Sequence, residues 1–252
     1  MIDTHCHVDF KDYNKTREEV ITRAKKELSS IINSGATLGG NRRTIQLVKD
    51  HKNFIHGTLG FHPVNAAKAE SVVLENVQKE IISNLDQAVA LGETGLDFYH
   101  TNDLEGKRKQ ENVFKSFIEL ASEYEMPLVI HARDSEKRAF RLVKKYSEIP
   151  NIVFHCYSGD DTTAQEIIKE GYFISVSTMI CFSSHHQNLV KDLPLSSIIT
   201  ETDSPYLSPF KGKRNEPSYV KEALNKIAEI KGISFDKVDK LTEKNAKKVF
   251  RI

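Results

Sequence analysis

The sequence predicts a single (β/α)₈ TIM barrel, a closed parallel sheet wrapped by helices, with its functional site on the C-terminal rim. Three observations carry this. Eight strand-like apolar runs alternate with helix-like runs along the whole chain, the pattern of parallel βα units. The chain has 252 residues, close to the ~250 of a typical barrel of this kind. Polar, metal-competent residues recur where the apolar runs end. An open doubly wound sheet is the alternative, but no G-x-G-x-x-G follows the first run. No linker or charge block divides the chain, so residues 1–252 read as one domain.

The elements follow in order. The opening Ile2 to Phe10 carries His5-Cys6-His7 on a strand, where alternate side chains share a face. Thr16-x-x-Glu19 reads as a capping box before a helix with Val20, Ile21, Ala24 and Leu28 at helical spacing. Ser30 to Asn33 is the second strand, followed by a turn at Gly39-Gly40 and a helix over 43–50. Phe54 to Leu59 is the third strand and ends in the loop Gly60-Phe61-His62-Pro63. A helix over 71–83 precedes the fourth strand, Ala88 to Leu91, which runs into Gly92-Glu93. Val113, Phe114, Phe117, Ile118, Ala121 and Tyr124 form the core-facing stripe of the clearest helix. Pro127 to His131 is the fifth strand. A helix over 135–145 and the sixth strand, Asn151 to His155, come next. Tyr172 to Ser177 and Ser197 to Glu201 are strands seven and eight. Two helices close the chain, one with Val220, Leu224, Ile227 and Ile230, the other with Val238, Leu241 and Val249.

The composition sets outer bounds. Basic and acidic residues number 36 and 35, so no global field draws the chain to nucleic acid or an anionic membrane. Any nucleic-acid contact must come from a local patch. Three cysteines without a C-x-x-C argue against a disulfide framework and suit a reducing cytoplasm. The start shows no leader pattern. No apolar run nears the ~20 residues of a membrane span.

The strand ends carry the chemistry. Strand one supplies His5 and His7, strand four Glu93, strand five His131, strand six His155 and strand eight Asp203. A lone His after an apolar run is usually an ordinary polar residue, and H-x-H alone is a weak motif. Six donors in register on the rim where barrels build their sites are hard to explain by packing. Imidazole and carboxylate donors suit divalent Zn, Mg, Mn, Ni or Fe. Six donors exceed the three protein ligands of one catalytic zinc. Two ions sharing a bridging carboxylate fit better, as in centres that hydrolyse phosphate esters.

Several stretches then resemble one family. Gly60-Phe-His-Pro63, Gly92-Glu-Thr-Gly-Leu-Asp97, Pro127-Leu-Val-Ile-His-Ala-Arg-Asp134, His155-Cys-Tyr-Ser-Gly159 and Glu201-Thr-Asp-Ser-Pro-Tyr-Leu207 look like the signature motifs of the TatD family. Asn215-Glu-Pro217 and Lys244-Asn-Ala-Lys-Lys-Val-Phe250 extend the likeness over nearly the whole chain. The family comprises metal-dependent deoxyribonucleases of the amidohydrolase-like barrel superfamily. The resemblance implies that His5, His7 and Asp203 hold one ion, His131 and His155 the other, and that Glu93 bridges them. It implies Asp203 as the general base and His62 as a phosphate contact. It implies two divalent ions as cofactors, and DNA, single-stranded or at 3′ ends, as the substrate of a 3′–5′ exonuclease.

Other residues keep two readings. Arg133 offers a guanidinium to a phosphate or an ion pair within the rim. Glu201 reads as the partner that orients a ligand, or as half of a buried ion pair. Lys213 and Arg214, in the run from Lys211, form the best basic patch for a nucleic-acid backbone, or a solvated loop. Phe61, Phe98, Tyr99 and Tyr206 either stack on unpaired bases or pack the loops. His51, His56, His100, His185 and His186 are left out of the site, the last two as a surface pair. Cys6 and Cys156 are expected as buried thiols. Thr178 stands where the family usually has Gly, which alters a rim loop. No membrane or obligate protein partner is expected. The rival function is a metal-dependent amidohydrolase or aminoacyl-tRNA deacylase. Glu93, in place of the modified Lys common in barrel amidases, favours the nuclease.

Overall fold

The computed structural model describes residues Met1–Ile252. Eight parallel strands pair in chain order. They are β1 (Ile2–Cys6), β2 (Ser30–Gly35), β3 (Ile55–Leu59), β4 (Ala90–Asp97), β5 (Leu128–Arg133), β6 (Ile152–His155), β7 (Phe173–Ser177) and β8 (Ile198–Glu201). The ring closes where the chain beyond β8 meets β1. Asp203 N–H donates to His5 O at 2.9 Å and His7 N–H to Ser204 O at 2.8 Å.

Ten helices surround and close the barrel: α1 (Arg17–Glu27), α2 (Leu38–Asp50), α3 (Pro63–Ala66), α4 (Ser71–Ile82), α5 (Leu104–Glu123), α6 (Glu136–Val143), α7 (Asp161–Lys169), α8 (Ser184–Asp192), α9 (Val220–Lys231) and α10 (Phe235–Phe250). The α5 stripe is buried from Val113 to Ala121, with Phe114, Phe117 and Ile118 fully enclosed. Burying each such side chain contributes about 1.5–3 kcal/mol. Tyr124, expected on the same face, instead caps the helix end and is 40% exposed.

The barrel interior is sorted by height. Near the strands' N-terminal ends, Ile2, Ile32, Ala90, Val129, Val153, Phe173 and Ile199 form an apolar layer, one residue per strand except β3. Ala246, Val249 and Phe250 of α10 pack on this layer and plug that end of the barrel. In β5, β6 and β8 the next inward position is two residues on, at His131, His155 and Glu201. In β1 and β4 it is three residues on, at His5 and Glu93. A register irregularity lies between Asp3 and Cys6 in β1 and between Leu91 and Thr94 in β4. Each acts as a bulge, which re-aims the side chains beyond it. Cys6 consequently faces outward, packed with Val8, Val20 and Ile21.

Some elements differ from the sequence reading. Thr16 does not cap α1 with its side chain; its hydroxyl accepts from Arg214 Nη2 at 2.7 Å. Gly39-Gly40 is not a turn but lies inside α2, whose cap is Thr37, accepting from Gly40 N–H at 2.9 Å. β4 does not stop at Leu91 but continues to Asp97 through Gly92 and Gly95. Gly95 has φ +145°, and a Cβ there would lie 2.0 Å from His131 O. Only glycine permits that approach between β4 and β5. The helices α7 and α8 lay outside the reading because each is short, nine residues, with a thin apolar stripe.

Candidate metal centre

The strand ends bring six donors together, and the structure makes Glu93 their hub. On one side, His5 Nε2 and His7 Nε2 lie 3.2 Å apart. Glu93 Oε2 is 3.5 and 3.7 Å from them, and Asp203 Oδ1 is 3.8 and 3.6 Å from them. On the other side, Glu93 Oε1 is 2.8 Å from His131 Nδ1 and 3.0 Å from His155 Nε2. Those two nitrogens are 3.1 Å apart. Ligand bonds of about 2.1 Å in a tetrahedron place donors about 3.4 Å apart. The first cluster matches that spacing, and the second is slightly tighter. One carboxylate therefore presents an oxygen to each cluster.

The far nitrogen of three of the four rings is within hydrogen-bond reach of a partner, and that of His155 faces a carboxylate, as suits metal-binding imidazoles. His7 Nδ1 lies 2.9 Å from Ser34 O. A carbonyl only accepts, so Nδ1 carries a proton and Nε2 is the nitrogen left facing the site. His5 Nδ1 is 3.1 Å from Ser34 Oγ, and His131 Nε2 is 3.2 Å from Asp97 Oδ2. His155 Nδ1 faces Glu201 Oε1 at 3.4 Å, while Glu201 Oε2 accepts from Ser175 Oγ at 2.6 Å. This chemistry and spacing fit a pair of divalent ions.

Charge coupling follows from the crowding. Burial opposes charge on both Glu93 and Asp203. His62, His155 and His131 outweigh it at Glu93 and hold that carboxyl well below its usual range. His7 and His5 do the same for Asp203, more moderately. Burial also opposes charge on His7, yet Asp203 and Glu93 raise it to about 9. His155 is raised well above the usual imidazole range by Glu93 and Glu201, against burial. Asp203 itself has φ +54°, a left-handed conformation that non-glycine residues adopt rarely and often at functional sites.

The remaining candidates spread around this centre. His62 Nε2 lies 3.3 Å from Glu93 Oε1, and its Nδ1 accepts from Val64 N–H at the start of α3. Arg133 does not form a rim ion pair; its guanidinium lies over the Tyr99 ring, 4.0 Å from the centroid. Arg214 is committed to the segment before α1. It bonds Asp12 O and Thr16 Oγ1 and lies 4.3 Å over the Tyr13 ring. Lys213 is exposed, its Nζ 5.6 Å from the Phe210 ring centroid. Phe61 is buried and Phe98 packs against the core, whereas Tyr99 and Tyr206 are exposed. His185 is exposed, but His186 is buried, with its Nδ1 2.8 Å from Ser183 Oγ. Cys6 is buried, and Cys156 only partly so.

Four supporting residues went unread in the sequence. Asp97 stands two inward positions beyond Glu93 on the same strand, a parity signal that was available. Ser34 lies one residue past the expected end of strand two. Asp3, fully buried, accepts from Thr202 N–H and Thr202 Oγ1 at 2.9 and 2.6 Å. Asn215 Nδ2 lies 2.6 Å from Tyr206 O, 3.0 Å from Thr202 O and 2.9 Å from Thr178 Oγ1. Thr178, where the family usually has Gly, thus helps tie down the loop that carries Asp203. Nothing local in the sequence marks Asp3, and Asn215 stands out only through the family-like stretch Asn215-Glu-Pro217.

A closed parallel barrel with imidazole and carboxylate donors converging on its C-terminal rim defines a barrel metallohydrolase. The chain matches the family of TatD related DNases over residues 2–251, and it belongs to that family. It is 45% identical over 250 residues to an uncharacterized metal-dependent hydrolase from Methanocaldococcus jannaschii, covering 99% of this chain and 96% of that protein. It is 34% identical over 259 residues to the human deoxyribonuclease TATDN3, covering 99% and 94%. The solved TatD homologue YJJV from Escherichia coli shares 26% identity and superposes with a TM-score of 0.92, covering 100% of this chain and 98% of that one.

Proposed function

We propose that the protein hydrolyses phosphodiester bonds in DNA, as a 3′–5′ exonuclease, with two divalent ions held by His5, His7, Asp203, His131, His155 and the bridging Glu93. The observation that carries this reading is the split of Glu93, one oxygen facing each donor cluster at 2.8–3.7 Å. When bound, such a pair of ions lowers the pKa of a water and offsets charge on phosphoryl oxygens.

The chain's own residues supply the rest. Asp203 is kept ionised, and its side chain is the most exposed of the donor carboxylates, at 18% against 4% for Glu93. It takes the proton from the attacking water. Ser34 O and Asp97 set the tautomers of His7 and His131, and Ser34 Oγ and Glu201 sit beside the far nitrogens of His5 and His155. His62, 22% exposed beside Glu93, contacts a phosphate oxygen. Arg133 and Lys213 receive backbone phosphates. Arg214 holds the loop beside them and reaches the backbone only with its outer edge.

Purified protein is expected to release nucleotides from the 3′ end of single-stranded DNA when given zinc, magnesium or manganese. EDTA abolishes this release, and Asp203→Asn lowers kcat about 10²–10⁴-fold, the usual worth of a general base. Release that ignores both EDTA and the substitution rejects the reading. Cleavage of an aminoacyl-tRNA ester or a cyclic amide, with DNA left intact, would redirect it to the rival chemistry.

A further inference from the structure

Two exposed tyrosines stand on opposite sides of the metal centre, and the chemistry above uses neither. Tyr206 lies in the loop after β8, where its N–H donates to Asp203 O at 3.0 Å. Its ring meets Phe10 edge-on, with centroids 6.3 Å apart. Phe10 in turn lies flat against His7, at 4.4 Å and 20°. Tyr99 follows β4 on the other side. Its neighbour His100 contacts Asp97 through Nδ1 at 2.8 Å, and Asp97 reaches His131. In an eight-stranded ring paired in chain order, the β8–β1 seam and the β4–β5 pair face each other across the barrel.

Both rings are more than half exposed, Tyr99 at 54% and Tyr206 at 56%. Neither position is explained by loop packing, unlike Phe61 and Phe98. Tyr99 is braced by Arg133 over its face and by the His100 ring, 4.9 Å away and near-perpendicular, and Tyr206 by Phe10. More than half of the Tyr99 surface stays open to solvent even so. Base–aromatic stacking tolerates any sequence because every base has a π-face. A guanidinium on the far face of Tyr99 adds a positive charge near the strand's phosphates.

We infer that Tyr99 and Tyr206 each stack one unpaired nucleobase, so that the scissile phosphodiester is held between two gripped bases. This rests on the DNA-hydrolase reading above. It adds that the site measures two nucleotides around the bond and takes them only when unpaired, with little preference among bases.

The test compares Tyr99→Ala, Tyr206→Ala, Tyr99→Phe and Tyr206→Phe on one single-stranded oligonucleotide. Matched oligonucleotides carry a single abasic analogue on either side of the bond that the wild type cuts first. Each alanine variant is expected to raise KM about tenfold, with kcat nearly unchanged. Each penalty disappears on one of the two abasic strands, and the phenylalanine variants keep the wild-type KM. Unchanged KM, or a penalty equal on all strands, overturns the stacking role while wild-type cleavage leaves the hydrolase reading standing. A wild type that cuts no DNA with any of the metals removes both.

Discussion

His7 shows how single residues couple to the site. In the metal-free chain it carries a proton up to a pH of about 9, because Asp203 and Glu93 outweigh the burial that opposes its charge. That raised value stabilises the folded chain fully below 6.5, its unfolded reference, and the contribution is lost as pH rises toward 9. A metal needs the neutral ring, so binding below pH 9 must expel that proton. His155, also raised, must give up another. Asp97 and Glu93 also raise His131 against burial, so titration of the apo protein with zinc at pH 7, in buffers of different ionisation enthalpy, is expected to show release of about two to three protons. Apparent affinity should climb with pH until about 9. Binding without proton release would mean that the histidines already sit neutral. His186 works with the opposite sign: burial lowers it to about 4, so its contribution to stability is lost as pH falls from 6.5 toward 4.

The loops after β7 and β8 act as one unit around Asn215. Its buried amide faces Thr202 O, Tyr206 O and the Thr178 hydroxyl, and its Oδ1 accepts from Glu216 N–H at 3.0 Å. Asn215→Ala removes the side-chain donor to Tyr206 O, one of two side-chain donors to Thr202 O, and the acceptor of the Glu216 N–H, a cost of about 1–3 kcal/mol. It also frees the turn that holds Asp203, so metal affinity should drop about 10–100-fold, as for other supports of ligands. Urea unfolding of the apo protein and metal titration check the two effects separately; an unchanged metal affinity would confine Asn215 to stability. This unit marks where sequence reading stops. The ligands His131 and His155 were legible because strict alternation from Val129 and Val153 turns them inward. His5 and Glu93 were legible as residue types at strand ends, but their inward aim depends on bulges that no apolar pattern records. Gly39-Gly40 read as a turn because two glycines outweigh one capping Thr37 in any local count. Asn215 joins Thr178, 37 positions away, and accepts at its carbonyl from the Tyr13 hydroxyl, 202 positions away, links that only the closed barrel creates. Arg214 looked like a free cation for the same reason: its partners Asp12 and Thr16 lie some 200 residues earlier.

At the scale of the whole molecule, the metal centre is also the closure of the barrel. His5 and His7 come from the first strand, and Asp203 comes from just beyond the last. Few backbone bonds stitch that seam: Asp203 N–H to His5 O and His7 N–H to Ser204 O are among them. The Asp3 carboxylate adds its bonds to Thr202, and α10 plugs the opposite end. An ion held by His5, His7 and Asp203 would cross-link the two ends of the sheet, and one held by Glu93, His131 and His155 would tie β4 to β5 and β6. Unfolding separates all of these donors, so metal binds the native chain in preference to the unfolded one. At a free metal concentration a hundredfold above Kd, one site adds about 2.7 kcal/mol. For a chain of this size each kcal/mol moves Tm by about 2–4 °C. Chelation is therefore expected to lower Tm by about 5–10 °C per site emptied. In Asp203→Asn the loss on chelation should shrink toward the contribution of the β4–β6 site alone. A Tm indifferent to EDTA in the wild type would show that the seam is held by Asp3, Asn215 and the backbone without the ions, leaving the metals a role in chemistry only.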